Sequence, residues 1–270
     1  GLNAIFGLEY AAVDEEERPL FDMENSDRAF EEEVLMTGFG AAPTKAEGAA
    51  VVYDTAQESW TSRYTAETVA LAFAVTEEAM EDNLYDTFAK AANVYNNGFT
   101  AGYVGGDGVV LFSAAHPTVG DGNQSNLETA ADLSEGTLET AIINTHKMKD
   151  DRGIFIGASP VSLHVAPDGQ FDADRILASP GRPNTDLNDI NAVRNLGLVP
   201  NGYYVNRRFT DADAWFLRND CPNGTKMFMR APLATKMEPD FDTGNLRFKA
   251  RERYSFGWSD WRQWRGNKGT

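Results

Sequence analysis

Few residues in this chain have both the type and the spacing that catalysis or metal binding requires. The three histidines, His116, His146 and His164, form no His-Glu-x-x-His motif and no other paired metal-ligand spacing. Cys221 is the single cysteine of the sequence, and it has neither an assignable histidine partner nor a motif that would make it a nucleophile. We therefore predict structural roles for the histidines, and no catalytic residue, metal or cofactor.

The remaining polar motifs have ordinary structural explanations. Asp150-Asp151 and Asp211-x-Asp213 could bind a hard cation, but they lack the oxygen-rich loop of an EF-hand and are typical of solvated turns or helix ends. Gly105-Gly106-Asp107-Gly108 lacks the Lys-Ser/Thr of a phosphate-binding loop and follows a predicted helix, which indicates a flexible exit from that helix. Ser113 lacks the Gly-x-Ser-x-Gly elbow. One enzymatic alternative stays open, an acidic hydrolase that uses scattered carboxylates.

The composition is that of a globular, strongly acidic protein. The chain has 270 residues, a hydrophobic fraction of 42% and a formal net charge of -17. It contains no apolar run near the roughly 20 residues that a membrane helix needs, so we expect no membrane contact. It also has no secretory leader and no cysteine pair, which is consistent with a reducing cytoplasm. Tight binding to DNA is disfavoured, because affinity for phosphates comes chiefly from Lys and Arg.

The charge is unevenly distributed along the chain. Residues 14–17 and 31–33 make the first segment acidic. The last segment is basic through Arg247, Lys249, Arg251, Arg253, Arg262, Arg265 and Lys268. Two explanations stay open. Both segments could be separate solvated faces, since exposed ion pairs contribute only about 0–1 kcal/mol each, or the acidic segment of one subunit could pair with the basic segment of another.

The first 64 residues favour extended segments over a core. Residues 1–25 mix apolar and acidic positions without a period and are interrupted by Pro19, which predicts an arm that becomes ordered only against another molecule, with no core beginning there. Residues 34–64 form a hairpin-like excursion rich in Gly, Ala, Thr and Ser, which predicts an extended loop. Its unpaired edges favour pairing with another chain, and an ordinary surface hairpin is the alternative.

The rest of the chain mixes predicted strands and helices, which indicates an α+β fold. Residues 68–75 alternate as a half-buried strand, and Thr76 has the hydroxyl of an N-cap for an amphipathic helix that continues to about Asn97. A buried strand is expected over residues 109–113, and a second helix follows its cap at Ser134. Further strands are predicted at 161–166, 202–205, 212–217, 226–229 and 245–256, with a short helix at 171–178.

Several motifs in a fixed order resemble the major head subunit of Mu-like phages and prophages. They are Gly38-Phe39-Gly40, Val52-Tyr53-Asp54, Phe73-Ala74-Val75-Thr76-Glu77-Glu78-Ala79, Leu111-Phe112-Ser113-Ala114-Ala115-His116-Pro117, Asp213-Ala214-Trp215-Phe216-Leu217 and Arg253-Tyr254-Ser255-Phe256-Gly257-Trp258. The resemblance covers roughly residues 34–260, and the ordered set is more specific than any single motif. That family is similar in turn to the tailed-phage coat proteins with the Hong Kong 97 fold.

The resemblance implies an α+β capsid subunit with five parts. These are an N-terminal arm (1–25), a peripheral domain that starts at 26–36 and continues over 65–132 with a spine helix at 76–97, an extended β-hairpin loop (37–64), an axial domain (133–220), and a peripheral return (221–270). Such a subunit is a structural major capsid protein and not an enzyme. It self-assembles through pentamers and hexamers into an icosahedral head that encloses double-stranded DNA. A tail or decoration component of a phage is the alternative.

The resemblance also implies contacts between subunits. The loop contacts are assigned to Phe39, Lys45, Tyr53, Trp60 and Tyr64, and the contact between the arm and the C-terminal strand to Glu15, Glu16, Glu17, Arg251 and Arg253. Further partners are a scaffold, a portal, a maturation protease and a decoration or cement protein, whereas packaged DNA makes weak, non-specific contact with an acidic interior. The expected location is the virion shell, after assembly in the host cytoplasm. The sequence begins at Gly1 and not at Met. A maturation cleavage before Gly1 would explain this, and so would a choice of numbering.

Overall fold

The computed structural model describes residues 16, 18–36, 58–75, 86–100, 102–181, 189–239 and 246–270. Within these ranges, the strands are β1 (Asp22–Asn25), β2 (Phe30–Met36), β3 (Glu58–Thr65), β4 (Glu67–Val75), β5 (His116–Pro117), β6 (Asn123–Gln124), β7 (Pro160–Val165), β8 (Tyr203–Val205), β9 (Trp215–Asn219), β10 (Thr225–Pro239), β11 (Leu246–Trp258) and β12 (Trp264–Asn267). The helices are α1 (Asp86–Asn96), α2 (Glu135–His146), α3 (Gln170–Ala178) and α4 (Ala192–Asn195). The mixture of helices and sheets confirms the predicted α+β class.

The first sheet is built on the two long strands near the end of the chain. Its strand order is β1-β10-β11-β4, with β1 parallel to the start of β10 and the other pairs antiparallel. Met227, Tyr254 and Trp258 lie on one face of this sheet and are buried in the core. The opposite face carries Lys226, Phe228, Arg230, Ala234 and Lys236 of β10 and Arg251, Arg253, Ser255 and Gly257 of β11, and we call it the hairpin face.

The second sheet packs against three helices. Its strand order is β12-β9-β7-β8. Trp215 and Leu217 of β9 face a cluster that includes Leu138 of α2, whereas Phe216 between them faces the core cluster shared with the first sheet. The alternation of side chains along a strand therefore lets β9 serve two cores at once.

Two aromatic residues join the separate segments at the centre of the shared core. Tyr95 of α1 and Trp264 of β12 are fully buried, with ring centroids 4.9 Å apart in an edge-to-face arrangement. The Tyr95 hydroxyl donates a hydrogen bond to the Leu20 carbonyl at 2.8 Å, and the Trp264 indole N–H donates to Thr225 Oγ1 at 2.9 Å. The polar groups of both rings are thus satisfied, and each bond reaches a different part of the chain.

Most of the predicted regular elements are confirmed where the structure describes them. The strands at 68–75, 161–166, 202–205 and 245–256 correspond to β4, β7, β8 and β11, and the helix at 171–178 corresponds to α3. Ser134 caps α2 through a reciprocal pair of bonds with Thr137, as a capping box does. The root of the predicted hairpin is present as the antiparallel pair β2–β3. Helix α1 ends at Asn96. Thr76, the predicted N-cap of this helix, lies outside the described residues.

The predicted arm is wrong for residues 18–25, which belong to the body of the subunit. Leu20 and Phe21 are buried in the shared core, at 0% and 3% exposure. Strand β1 follows them and pairs with β10 from Asp22↔Lys226 to Asn25↔Met229. A four-residue edge strand is too short to show a hydrophobic period, so the pattern of the sequence did not indicate that a core begins here.

Three other predictions also need correction. Residues 109–113 form no strand, although Leu111 and Phe112 are buried; the side chain of Asn126 holds their backbone instead. Strand β9 begins at Trp215 and not at residue 212, because the carboxylate of Asp211 accepts a hydrogen bond from the backbone of Asp213 in a turn. The predicted peripheral return is divided between sheets, since β12 pairs with β9 in the second sheet.

Candidate assembly surface

The hairpin of β2 and β3 is attached to the body through one of its two faces. Ser62 and Tyr64 on this face are buried, whereas Phe30 and Val34 on the opposite face are 40% and 45% exposed. The Tyr64 ring lies 5.0 Å from the Phe228 ring on the hairpin face of the first sheet. A Cβ at Gly257 would lie 2.9 Å from the Tyr64 ring, so the absence of a side chain there allows the close approach.

A compact network of charged and polar groups fixes the hairpin root at the near end of the hairpin face. The ammonium of Lys226 contacts the carboxylate of Glu33 from β2 and lies 3.1 Å from that of Glu24 in β1. The hydroxyls of Ser259 and Tyr64 both donate to the other oxygen of Glu33. One cation therefore ties together β1, β2 and β10.

The network changes the ionisation of two of its members. Burial raises the pKa of the Tyr64 hydroxyl, so this group stays a neutral donor. Burial alone lowers the pKa of Lys226, but the bonds to Glu33 and Glu24 outweigh it and the net pKa is raised. Lys226 is therefore a permanent cation at neutral pH.

The far end of the hairpin face carries cations that lack a carboxylate partner in the described structure. Arg230, Lys236, Arg251 and Arg253 follow Lys226 along β10 and β11, with Ala231 opposite Arg253 and Ala234 opposite Arg251 in the register. Within the described ranges, none of these four side chains forms an ion pair with a carboxylate. The Nε of Arg253 is buried and has no hydrogen-bond acceptor among those residues. This end of the face therefore has uncompensated positive charge.

An open cavity of about 440 Å³ lies beside the hairpin root. Its lining includes Leu35 of β2, Cys221, and the charged residues Asp150, Asp151, Asp220, Asp260 and Arg262. Arg262 is buried and lies 2.8 Å from Asp151, while burial raises the pKa of Asp260 against the opposing effect of Arg262. Burial, followed by the carboxylates of Asp260 and Asp220, raises the pKa of the Cys221 thiol to about 12. The thiol is therefore protonated and unreactive at neutral pH.

His116 makes a buried contact with Asp107 that holds the loop of residues 105–108. Its Nδ1 lies 2.7 Å from Asp107 Oδ2, and its Nε2 lies 3.1 Å from Asn126 Oδ1. The amide nitrogen of Asn126 donates to three backbone carbonyls, which orients its oxygen towards the histidine. The ring of His116 is therefore held between Asp107 and Asn126. The loop predicted as a flexible exit is tied to the core.

His164 and His146 also lie in structural environments. His164 is fully buried in β7, where its Nε2 lies 2.9 Å from Ser162 Oγ and its ring stacks on Tyr204 at 5.1 Å. Burial lowers its pKa to about 3, so the ring is neutral. His146 is exposed at the end of α2. In the described part of the chain, no cluster of His, Cys, Asp or Glu has a geometry that could hold a metal ion.

The structure places five of the predicted contact residues. Trp60 is half-buried in β3, and Tyr64 is buried within its own subunit. Glu16 binds the same chain, because its carboxylate accepts from the Arg207 backbone at 2.6 Å and lies 2.9 Å from the Arg207 guanidinium. Arg251 and Arg253 lie on the hairpin face. The predicted sites at Phe39, Lys45, Tyr53, Glu15, Glu17 and Gly1 lie outside the described residues.

The residues that fix the hairpin root were missed from the sequence. Lys226 is the one charged residue in the apolar run from Thr225 to Met229. A lysine is rarely buried unless it is paired, so this position indicated a partner carboxylate. Nothing local identifies that partner, because Glu33 is 193 positions away in the sequence.

Comparison with known proteins identifies the family and the fold. A family model described as "Phage capsid protein" matches residues 57–266. Among curated proteins, no sequence matches. None of the helices within the described ranges is both long and apolar enough to cross a lipid bilayer.

Three solved chains are similar to this one over nearly its whole length. A chain from the capsid of a native GTA particle is 15% identical, with 95% of this chain and 90% of that chain covered and a TM-score of 0.56. A chain from the capsid of Myoviridae phage XM1 is 11% identical (94% and 92% covered, TM-score 0.52), and one from Mycobacterium phage Cain is also 11% identical (94% and 89% covered, TM-score 0.52). These likenesses confirm the predicted tailed-phage capsid fold, and the family match confirms the predicted family. The chain belongs to the phage capsid protein family and is a structural protein of the virion shell.

Proposed function

We propose that this protein is the subunit that assembles through pentamers and hexamers into an icosahedral phage head around double-stranded DNA. The observation that carries the proposal is the family match over residues 57–266, which includes the second strand of the hairpin, three of the four strands of the first sheet and nearly all of the second sheet. The role is geometric and not catalytic. A scaffold, a portal, a maturation protease and a decoration or cement protein are further proposed partners, with assembly in the host cytoplasm.

The hairpin is the proposed arm of contact between neighbouring subunits. Its root is held by Tyr64 and Glu33, so its direction relative to the body is fixed. Its outer face carries the exposed apolar side chains of Phe30 and Val34, which favour the packing of another chain. Phe39, Lys45, Tyr53 and Trp60 are the proposed contact residues of the extended loop.

The N-terminal leader is a second proposed contact, through Glu15, Glu16 and Glu17. Its acidic residues precede the body, and Glu16 is anchored on Arg207 of its own subunit. Replacing all three glutamates by glutamine should lower the yield of particles and weaken its dependence on salt. An unchanged yield with unchanged salt dependence would remove the leader from the proposal.

Weak contact with the packaged genome is the third part of the proposal. A chain with a net charge of -17 gives a shell that attracts DNA only weakly, so the genome can slide during packaging. Binding of duplex DNA to empty shells at physiological salt, measured by co-sedimentation, tests this point. Tight binding would contradict it.

Electron microscopy of the purified full chain tests the main proposal. Closed particles of megadalton mass are the expected result. Rings, tubes or trimers would indicate a tail or decoration component instead. A stable monomer that hydrolyses a substrate would indicate an enzyme instead.

A further inference from the structure

The sequence contains three Asn-Gly pairs, and this is the dipeptide in which an asparagine is most readily converted to aspartate or isoaspartate. The pairs are Asn97-Gly98, Asn201-Gly202 and Asn223-Gly224. The reaction begins when the backbone nitrogen of the glycine attacks the side-chain carbonyl carbon of the asparagine. Glycine favours this attack because it has no side chain to obstruct the approach. The three pairs can therefore be compared as modification sites.

The three pairs differ in the hydrogen bond of the glycine N–H. The N–H of Gly98 donates to the Tyr95 carbonyl at 2.9 Å, and that of Gly202 donates to the Val199 carbonyl at 3.1 Å. The N–H of Gly224 has no acceptor among the described residues. An N–H that is already hydrogen-bonded must leave its acceptor before its nitrogen can attack, and the loss of that bond slows the reaction. Gly224 therefore has the most accessible nucleophile of the three.

The peptide group between Asn223 and Gly224 is also activated for this attack. Its carbonyl oxygen accepts a hydrogen bond from the backbone N–H of Asp260 at 2.7 Å. The attacking species is the deprotonated amide, whose negative charge is shared between the nitrogen and this oxygen, so a donor at the oxygen stabilises it. In the described part of the chain, no backbone N–H donates to the corresponding carbonyl of Asn201. Two independent features of the fold therefore favour reaction at Asn223.

We propose that Asn223 is a site of spontaneous covalent modification in the folded subunit. The Gly224 nitrogen forms a bond to Cγ of Asn223, and the side-chain nitrogen leaves as ammonia, which takes up the proton that the amide has lost. Water then adds to one of the two carbonyl carbons of the five-membered ring and breaks the bond between that carbon and the Gly224 nitrogen. Opening at Cγ gives aspartate. Opening at the backbone carbonyl gives isoaspartate, whose main chain is longer by one carbon.

The modification alters the support of the hairpin. Asn223 lines the cavity beside the hairpin root, so either product adds a negative charge to a lining that already holds four aspartates and one arginine. Isoaspartate also lengthens the chain directly before β10, where the Gly224 carbonyl accepts from the Ser259 N–H at 3.3 Å. The Ser259 hydroxyl in turn donates to Glu33 of the hairpin. The lengthened turn therefore displaces Ser259 relative to Glu33 and loosens the hairpin root.

Peptide mapping by mass spectrometry tests the site, with a second pair of the same chain as the control. Asn201 and Asn223 are both exposed and lie in the same local sequence, Pro-Asn-Gly. In the folded full chain, incubated at mildly alkaline pH, conversion at Asn223 should be about fivefold faster than at Asn201, the factor that corresponds to the net contribution of one hydrogen bond. In the chain unfolded by guanidinium chloride, the two rates should become equal.

Hydrogen exchange tests the effect on the hairpin. In the modified fraction, separated by ion exchange, the backbone amides of β3 should exchange at least about twofold faster than in the fresh chain. Asn223→Gly is the matched variant, because glycine adopts the φ of 58° at this position and has no side-chain amide to lose. Exchange in β3 of this variant should not change during the same incubation.

Three results would contradict the proposal. Equal conversion at Asn201 and Asn223 in the folded chain would overturn the site. A preference for Asn223 that persists in denaturant would also overturn it, because the local sequence and not the fold would then set the rate. Conversion at Asn223 with unchanged exchange in β3 would overturn the effect on the hairpin. All of these measurements use the unassembled chain, so they are independent of the function proposed above.

Discussion

The near and far ends of the hairpin face use the same kinds of residue in opposite ways. At the near end, Lys226 has two carboxylate partners and fixes the hairpin root. At the far end, Arg251 and Arg253 sit on the neighbouring strand of the same sheet with no carboxylate partner in the described structure. A cation on a strand therefore stabilises the subunit only where the fold brings a carboxylate to it.

The comparison also separates stability from assembly. Groups at the near end are partly removed from water and bonded, so their loss should weaken the subunit itself. At the far end Arg251 and Lys236 are exposed, and substitutions of these two residues should leave the subunit intact while changing how copies associate. Measurements on the unassembled subunit and on the particle should therefore respond to different residues.

The largest effect is expected from Lys226→Met. This change leaves Glu24 and Glu33 near each other without a cation, and we expect the free energy of unfolding to fall by about 3 kcal/mol. Arg251→Met is the matched control, with an expected change of less than about 0.5 kcal/mol. Denaturant unfolding of the unassembled chain measures both. Equal effects of the two substitutions would remove the distinction between the ends.

The second largest effect concerns a buried base that has no counter-charge, His164 in the second sheet. Its pKa is about 3 in the folded chain and near its ordinary value of 6.5 when unfolded. The unfolded chain therefore binds a proton first as the pH falls, so the stability present above pH 6.5 is progressively lost below it. Between pH 7 and pH 5 we expect a loss of about 2 kcal/mol from this residue.

His164→Phe removes this titration while keeping an aromatic ring beside Tyr204. The variant has a different stability at every pH, but its unfolding free energy should decline less between pH 7 and pH 5 than that of the unmodified chain. Parallel curves would show that His164 is not the group responsible.

A smaller effect is expected from Tyr64→Phe at the hairpin root. The ring and its packing on Phe228 are kept, but Glu33 loses one hydrogen-bond donor, so the unfolding free energy should fall by about 1 kcal/mol. Tyr204→Phe is the control, since the Tyr204 hydroxyl forms no hydrogen bond within the described residues. A change below about 0.3 kcal/mol for Tyr64→Phe would mean that water replaces the hydroxyl at this position.

The parts of the fold that were predictable from the sequence are those determined by neighbouring residues. The cap at Ser134 and the alternation over residues 68–75 depend on a few consecutive side chains, and both elements are present. The burial of Leu20 and Phe21 depends instead on strand β1 reaching β10, some 200 residues later. No local pattern carries that information.

The candidate site also has one part that was predictable from the sequence and one part that was not. Charge along the sequence indicated the basic character of Arg251 and Arg253, because a count of residues needs no fold. Which carboxylate pairs with a cation is a matter of tertiary distance, and nothing near Lys226 in the sequence identifies Glu33 as its partner. The prediction for Tyr64 illustrates the limit, since an aromatic in a loop-like segment proved to be the anchor of the hairpin within its own subunit.

The smallest effect is expected from the buried thiol of Cys221, which lies beside carboxylates near the hairpin root. Cys221 precedes β10, and burial together with Asp260 and Asp220 raises its pKa from the ordinary 9.0 to about 12. The unfolded thiol ionises first as the pH rises, so stability present below pH 9 is lost above it. Between pH 8 and pH 9.5 the loss should be about 0.8 kcal/mol. Cys221→Ala should remove this part of the alkaline decline in unfolding free energy, whereas Arg251→Met should keep it, because no thiol lies at the far end of the face. An equal decline in Cys221→Ala and the unmodified chain would show that the thiol of Cys221 is not the group responsible.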